Sequence, residues 1–365
     1  MIGEFLEFIK KILLSAWNMI EGASVWMMGS YTVAGLLHEY LTTERLQKSR
    51  VGTTHPSGIF WATITGMFIP ICSCGSIPLG IGLYYSGAYL GPTLAFMTAN
   101  PMINPIAIIL SWGLLGKEIT IIYIITGFVA PMIIGLIANR FAGDELYLKR
   151  TEPEKQPIKL SFDEKPSHIE RILNGLRWSY TELAVTVSKY TVTGMLTAAL
   201  IFGIVPQSAI QRYLGDPSMI SMFGITVIAA FMYVCAVGHI PFIAALVASG
   251  AAPGVAITFL MAGAGTNLGE LITIRKAIGK RAMIMYFLLM VIISNAVGYF
   301  TNRILPNFKP VLDFDAATNG ISYANHMLIS VPEWVHIACT LVLIGYAAYA
   351  LYRELRKKAA ARGAN

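Results

Sequence analysis

Sliding the chain 163 residues along itself sets Cys72 on Cys235, and twelve of the 33 ungapped positions from Cys72 to Asn104 become identical. The pairs include Gly75/Gly238, Pro78/Pro241, Gly91/Gly254, Phe96/Phe259 and Asn104/Asn267. Chance in a chain this apolar gives roughly two or three. At the same offset Tyr123 falls on Tyr286, Gly135 on Gly298, and Asn139-Arg140 on Asn302-Arg303. A fixed-offset repeat that carries Cys, Asn and Pro predicts two copies of one folding unit. They run from about Trp17 to Arg140 and from about Tyr180 to Arg303, and the residues after 303 are an addition.

The unit is a membrane unit. Of 365 residues, 55% are hydrophobic and only 13% charged, against about 25% charge in a soluble domain. A water-soluble enzyme, a disordered chain and a coiled coil are excluded together. In a bilayer the length fits about ten segments of ~20 apolar residues, so the fold class is an all-α polytopic membrane protein. The formal charge of +7 reports cytoplasmic Lys and Arg, not a nucleic-acid partner. Four cysteines make no disulfide framework, and Cys72 and Cys74 are too close in sequence to bridge each other easily. No cleavable signal peptide is expected, because acidic residues interrupt the first apolar ones.

Along the chain, residues 1–16 read as an interfacial amphipathic helix, with Phe5, Ile9 and Ile12 on one face and Glu4, Glu7 and Lys11 on the other. Residues 17–140 form membrane repeat 1, with a first span at 17–41 and another at 119–140. The charged, Pro-containing stretch 141–176 is a cytoplasmic linker. Residues 177–303 form membrane repeat 2, with a span at 178–204. An extracytoplasmic loop over 304–331 precedes 332–365, which is a C-terminal span with a basic cytoplasmic tail.

The charged loops set the orientation. Repeat 1 is basic at 42–55 while its match, 206–217, has only Arg212; repeat 2 is basic at 275–281 while its match, 114–118, has only Lys117. Positive loops stay inside, so the two copies are expected to be inverted. With the N-terminus outside and the C-terminus inside, the inner segments hold 18 Lys and Arg and the outer ones 6. Inverted repeats place the substrate site where the copies meet.

The apolar segments are interrupted at corresponding places. Stretch 57–90 breaks at Cys72-Ser73-Cys74-Gly75-Ser76, leaving two arms of about 13 residues, ~20 Å each as helix. A bilayer core is ~30 Å thick, so a re-entrant hairpin is expected, its tip lining a cavity or packed in protein. Stretch 91–113 breaks at Thr98–Pro105, and the second copies of the breaks are Cys235–His239 and Gly263–Asn267. Pro78 and Pro241 suit a helix's first turn. The outgoing half-helices are therefore expected to begin just after the cysteines and to aim their positive ends at them, favouring a thiolate or a bound anion.

The string Phe68-Ile69-Pro70-Ile71-Cys72-Ser73-Cys74-Gly75-Ser76-Ile77-Pro78-Leu79 closely resembles the signature of a predicted-permease family that includes the YraQ proteins and the ArsP organoarsenical efflux permeases. The glycines from Gly263 to Gly269 around Asn267 also look like that family's pattern, and the resemblance covers about 20–303. It implies a polytopic inner-membrane permease of prokaryotic type. For the ArsP branch it implies efflux of trivalent organoarsenicals through paired cysteines, which by motif match are Cys72 and Cys74.

Soft metalloids prefer thiolate ligands. Cys72, Cys74 and Cys235 are thus candidates for gripping a thiophilic cargo, or for exchange with a thiol or persulfide cargo; the plainer account is small residues packed at helix breaks. Lys189 either binds an anionic cargo group, pairs with Glu182, or reaches along its stem to the interface. His239 carries a coupling proton, completes a Cys/His site, or caps a helix. Asn100, Asn104, Thr266 and Asn267 contact cargo or satisfy freed backbone groups. Glu270 is a proton or cation site, or pairs with Arg275. Cys339 is a packing residue, and His38 and Glu39 are interfacial.

No metal site and no cofactor are expected. No Walker A string occurs, so the chain has no ATPase of its own. The expected function is a secondary permease, not an enzyme, for a small thiophilic or sulfur-containing solute in a cytoplasmic membrane. Its partners are that solute and the lipid, with no nucleic acid. Thiol peptides, glutathione-precursor compounds and sulfur oxyanions such as thiosulfate are the alternative cargoes. A membrane thiol or sulfur-transfer enzyme and a membrane-embedded scaffold are the alternatives from other classes.

Overall fold

The computed structural model describes residues 2–40, 55–69, 73–148, 168–204, 219–231, 239–240, 243–244, 246–247, 251–306, 308 and 332–362. No strand occurs among them. Helix α1 spans Ile2–Tyr40. The amphipathic segment and the first span are therefore one helix of 39 residues, ~58 Å long. Nothing between Leu13 and Met19 breaks it: no Pro or Gly lies there, and propensity carries the helix through the change of face. Burial begins at Ala16, while Leu13 and Leu14 stay exposed.

Two helices of 13 residues follow, α2 (Pro56–Phe68) and α3 (Ser73–Tyr85). His55 caps α2 by accepting from Ser57 N at 3.3 Å, with Pro56 at its first position. Pro78 corrects an expectation. It lies inside α3, because the helix already starts at Ser73, directly after Cys72. Next come α4 (Leu90–Met102), α5 (Pro105–Leu114) and α6 (Gly116–Phe141), closed by a 3-10 turn over Gly143–Leu146.

The second run begins with α7 (His168–Trp178), a π-helical turn at Ser179–Leu183 and α8 (Ala184–Ile204). It continues through α9 (Met219–Phe231), α10 (Pro253–Gly265), α11 (Leu268–Ala277) and α12 (Lys280–Ile304). The last helix, α13 (Glu333–Arg362), runs through the basic tail and packs on α8 and α1.

The bounds repeat at the sequence offset. Adding 163 to α2, α4 and α5 gives α9, α10 and α11 residue for residue, and α6 gives α12 to within one residue. The packing repeats too: α4 lies on α2 and α6 as α10 lies on α9 and α12. Identical residues explain this. Asn139 Oδ1 accepts from Gly91 N at 2.7 Å, and Asn302 Oδ1 accepts from Gly254 N at 2.6 Å. A Cβ on Gly135 would sit 2.9 Å from Gly91 O, and one on Gly298 would sit 2.8 Å from Gly254 O. Only glycine lets these backbones approach so closely.

Counterpart helices also touch each other: α1 meets α8, α4 meets α10 and α6 meets α12. At the first of these contacts Tyr31 and Ser188 share a hydrogen bond of 2.9 Å, and Ser179 Oγ donates to Tyr31 O at 2.5 Å.

Among the described residues, Gly116–Phe141, Lys280–Ile304 and Glu333–Arg356 are long and apolar enough to cross a membrane. The pairs α4/α5 and α10/α11, bent by 40° and 41°, bring the spans to as many as five. The described residues form a multi-pass, all-helical protein.

Candidate functional site

The site forms where the bent helices break. Asn104, between α4 and α5, caps α5 by accepting from Ala107 N at 2.8 Å, with Pro105 in the first helical position. Asn267 caps α11 in the same way, accepting from Glu270 N at 2.8 Å. An Asn cap satisfies one of the N–H groups that a helix start leaves open, which matters most inside a membrane. These two asparagines therefore serve the backbone. Thr266 is buried and its hydroxyl donates to Ala262 O.

The ends of the incoming half-helices are held by a tyrosine in each copy. Tyr123 OH donates to Met102 O, and Tyr286 OH donates to Gly265 O. The two ends adjoin: a Cβ on Gly265 would lie 3.6 Å from Met102 Cγ. Thr98 of α4 is buried, and its hydroxyl donates to Leu94 O at 2.6 Å.

Asn100 is fully buried, and its Nδ2 donates to Gly66 O at 3.1 Å and Ile69 O at 2.9 Å. It thereby ties α4 to the end of α2. Its Oδ1 has no hydrogen-bond partner among the described residues, which leaves it a buried acceptor near the end of α2. Glu270 is also fully buried. Its Oε1 is 3.3 Å from Tyr286 OH and its Oε2 is 3.4 Å from Asn267 Nδ2.

Cys72, Cys235 and the side chain of Cys74 lie outside the described residues; the backbone of Cys74 is in the first turn of α3. The side chain of Glu39 is likewise outside them. The His239 ring lies 6.0 Å from that of Phe259. His38 Nδ1 is 3.3 Å from Ser86 Oγ, and its ring stacks on Trp178 at 3.7 Å.

Lys189 forms an ion pair with Glu354 of α13, a partner that the sequence reading did not name. The added helix thus neutralises a cation that belongs to the second copy alone. Removing one partner leaves an uncompensated charge in a weakly polar setting, whereas removing both does not. Glu354→Leu is therefore expected to lower thermal stability in detergent more than the double variant Lys189→Met/Glu354→Leu. A single variant no less stable than the double would refute the pairing.

A second junction joins the copies away from the breaks. Glu145, just past α6, caps the start of α12: Oε1 accepts from Arg281 N at 3.1 Å and Oε2 from Ala282 N at 2.6 Å. Tyr84 OH donates to Glu145 O at 2.9 Å, and Tyr85 OH donates to Ala277 O at 3.1 Å. Sequence reasoning missed this junction, along with the tyrosines and Glu354. The pair Tyr123/Tyr286 was visible as a repeat identity; the others carry no local signal.

The profile of a family described as predicted permease matches residues 3–303. The chain belongs to the predicted-permease family. Its relatives include the UPF0718 protein MJ0584 of Methanocaldococcus jannaschii, 28% identical over 298 residues, covering 67% of this chain and 81% of that protein. The UPF0718 protein YcgR of Bacillus subtilis is 24% identical over 263 residues, covering 72% and 86%. The UPF0718 protein YraQ of Escherichia coli is 21% identical over 272 residues, covering 73% and 74%. No solved structure matches the chain. Membership of this family makes the chain a membrane permease.

Proposed function

We propose that this permease is a secondary transporter whose two copies lie in opposite orientations in a prokaryotic cytoplasmic membrane, with the N-terminus outside and the C-terminus inside. It moves a small thiophilic or thiol-containing solute, such as a trivalent organoarsenical, handled by Cys72, Cys74 and Cys235. The observation that carries the reading is the meeting of the two helix breaks, Met102 against Gly265, in a chain of the predicted-permease family. Broken helices that meet at a repeat interface are where transporters bind their cargo.

Opposite orientation is supported by Glu145. It follows the C-terminal end of α6 yet caps the N-terminal end of α12, the counterpart helix. A re-entrant hairpin is supported by the lengths of α2 and α3, 13 residues each, or ~20 Å against a core of ~30 Å. In that hairpin the positive end of α3 follows Cys72 and favours its thiolate. Asn100, whose Oδ1 has no partner among the described residues, fits a cargo that brings a hydrogen-bond donor.

The test is flux in proteoliposomes of methylarsenite, cysteine, γ-glutamylcysteine and thiosulfate, comparing the parent with Cys72→Ser. The variant is expected to lose at least about tenfold in flux of the cargo that the parent moves. Equal flux for the whole panel removes the thiophilic reading. Chemical change of a probe without vesicles favours a membrane thiol enzyme.

A further inference from the structure

Glu270 is the one fully buried acidic side chain among the described residues. It sits in the first turn of α11, and its counterpart at the repeat offset is Ala107. The acid therefore belongs to one copy only. The groups around it are neutral or engaged elsewhere. From α12 comes Tyr286, at 3.3 Å. On α11 itself Arg275 and Lys276 are exposed. On α8, which packs along α11, Lys189 is paired with Glu354, and Tyr190 is partly buried. On α3, which also touches α11, the hydroxyls of Tyr84 and Tyr85 are bonded to backbone carbonyls. Among the described residues no Lys or Arg pairs with Glu270.

A phenol has one proton to give, and the oxygen of Tyr286 faces two acceptors, Gly265 O and Glu270 Oε1. If Glu270 is ionised, one proton cannot serve both, and the carbonyl that ends α10 competes with a carboxylate. If Glu270 is protonated, its O–H donates to Tyr286, which donates in turn to Gly265 O, and both bonds are made. Copy one has no such choice: Tyr123 donates to Met102 O, and Ala107 has nothing to titrate.

We propose that Glu270 is a proton-binding site, and that its proton decides, through Tyr286, whether the end of α10 is held at the break. Binding takes one proton from the aqueous phase and release returns it; no other bond forms or breaks. Gly265 adjoins Met102, so loosening this end reaches the first copy's break. The coupling role rests on the permease reading above; the proton site does not.

Two measurements test it. Across a pH titration of the purified proteins, the infrared spectrum of the parent minus that of Glu270→Gln should isolate one titrating carboxylic-acid carbonyl band, and that band should shift in the Tyr286→Phe background. In proteoliposomes, with methylarsenite and γ-glutamylcysteine as probes, the parent should exchange a probe without a gradient and accumulate it under an imposed pH difference. Glu270→Gln should keep exchange within about twofold and lose about tenfold or more of the pH-driven accumulation.

A difference between parent and Glu270→Gln with no titrating carboxyl band overturns the proposal. So does Glu270→Gln accumulation equal to the parent's, a parent that exchanges a probe but ignores the pH difference, or loss of exchange in a folded Glu270→Gln protein. A parent that exchanges neither probe counts against the thiophilic cargo, and the infrared band then decides the proton site alone.

Discussion

Gly254→Leu is expected to yield no folded, monodisperse protein, and Gly91→Leu is expected to do the same. A Cβ at Gly254 would lie 2.6 Å from Asn302 Oδ1 and 2.7 Å from Asn302 Cγ, and would overlap Gly298 O; one at Gly91 would lie 2.5 Å from Gly135 O. Much of what it meets is backbone of the facing helix, which cannot swing aside. The larger side chain also displaces the asparagine that accepts from the glycine's own N–H. Overpacking a filled site costs about 1–3 kcal/mol and occasionally more, and an unpaired buried group adds about 1–3 kcal/mol. Together these approach the whole stability of a typical domain, about 5–15 kcal/mol. Gly224→Ala in α9 is the control, since a Cβ there meets nothing within 4 Å; it should be neutral or stabilising by about 1 kcal/mol. Fluorescence-detected gel filtration of the detergent extract reads both. A Gly254→Leu protein that elutes like the parent would show that α10 and α12 do not pack as described.

These glycines also show how much of the architecture the sequence carried. Gly91, Gly135 and Asn139 stand out as repeat identities at one offset, and they are the residues that hold α4 on α6. Asn104-Pro105 and Thr266-Asn267 mark the breaks because Asn and Pro have local reasons to start a helix there. Other features have no local signature. The change of amphipathic face near Ser15 looks like a boundary, yet the helix runs through it. Pro78 suggests a helix start, but α3 begins five residues earlier, at Ser73. Lys189 and Glu354 are 165 residues apart, and no spacing rule links positions so distant. Glu270 was legible as an intramembrane acid, but its phenolic partner lies on another helix and follows only from the fold.

Glu145→Ala is expected to unfasten the face where α6 ends and α12 begins. In the parent, this carboxylate binds two N–H groups at the start of α12, where the helix dipole favours an anion. Its own carbonyl holds Tyr84. At the repeat offset the corresponding residues are Phe308 for Glu145 and Val247 for Tyr84, which offer neither a carboxylate nor a hydroxyl. The fastening therefore belongs to one face of the molecule, and a transporter that alternates must release it. Hydrogen bonds to a charged group are each worth about 1.5–3 kcal/mol, so their loss would shift a two-state equilibrium by about tenfold or more. A cysteine introduced at Ala277, whose carbonyl accepts from Tyr85, should then react faster with a membrane-impermeant maleimide in Glu145→Ala than with Glu145 intact. Glu145→Gln keeps the acceptor geometry without the charge and should fall between them. Equal labelling rates in all three backgrounds would mean that this junction does not govern access to the face, and that it only joins the copies.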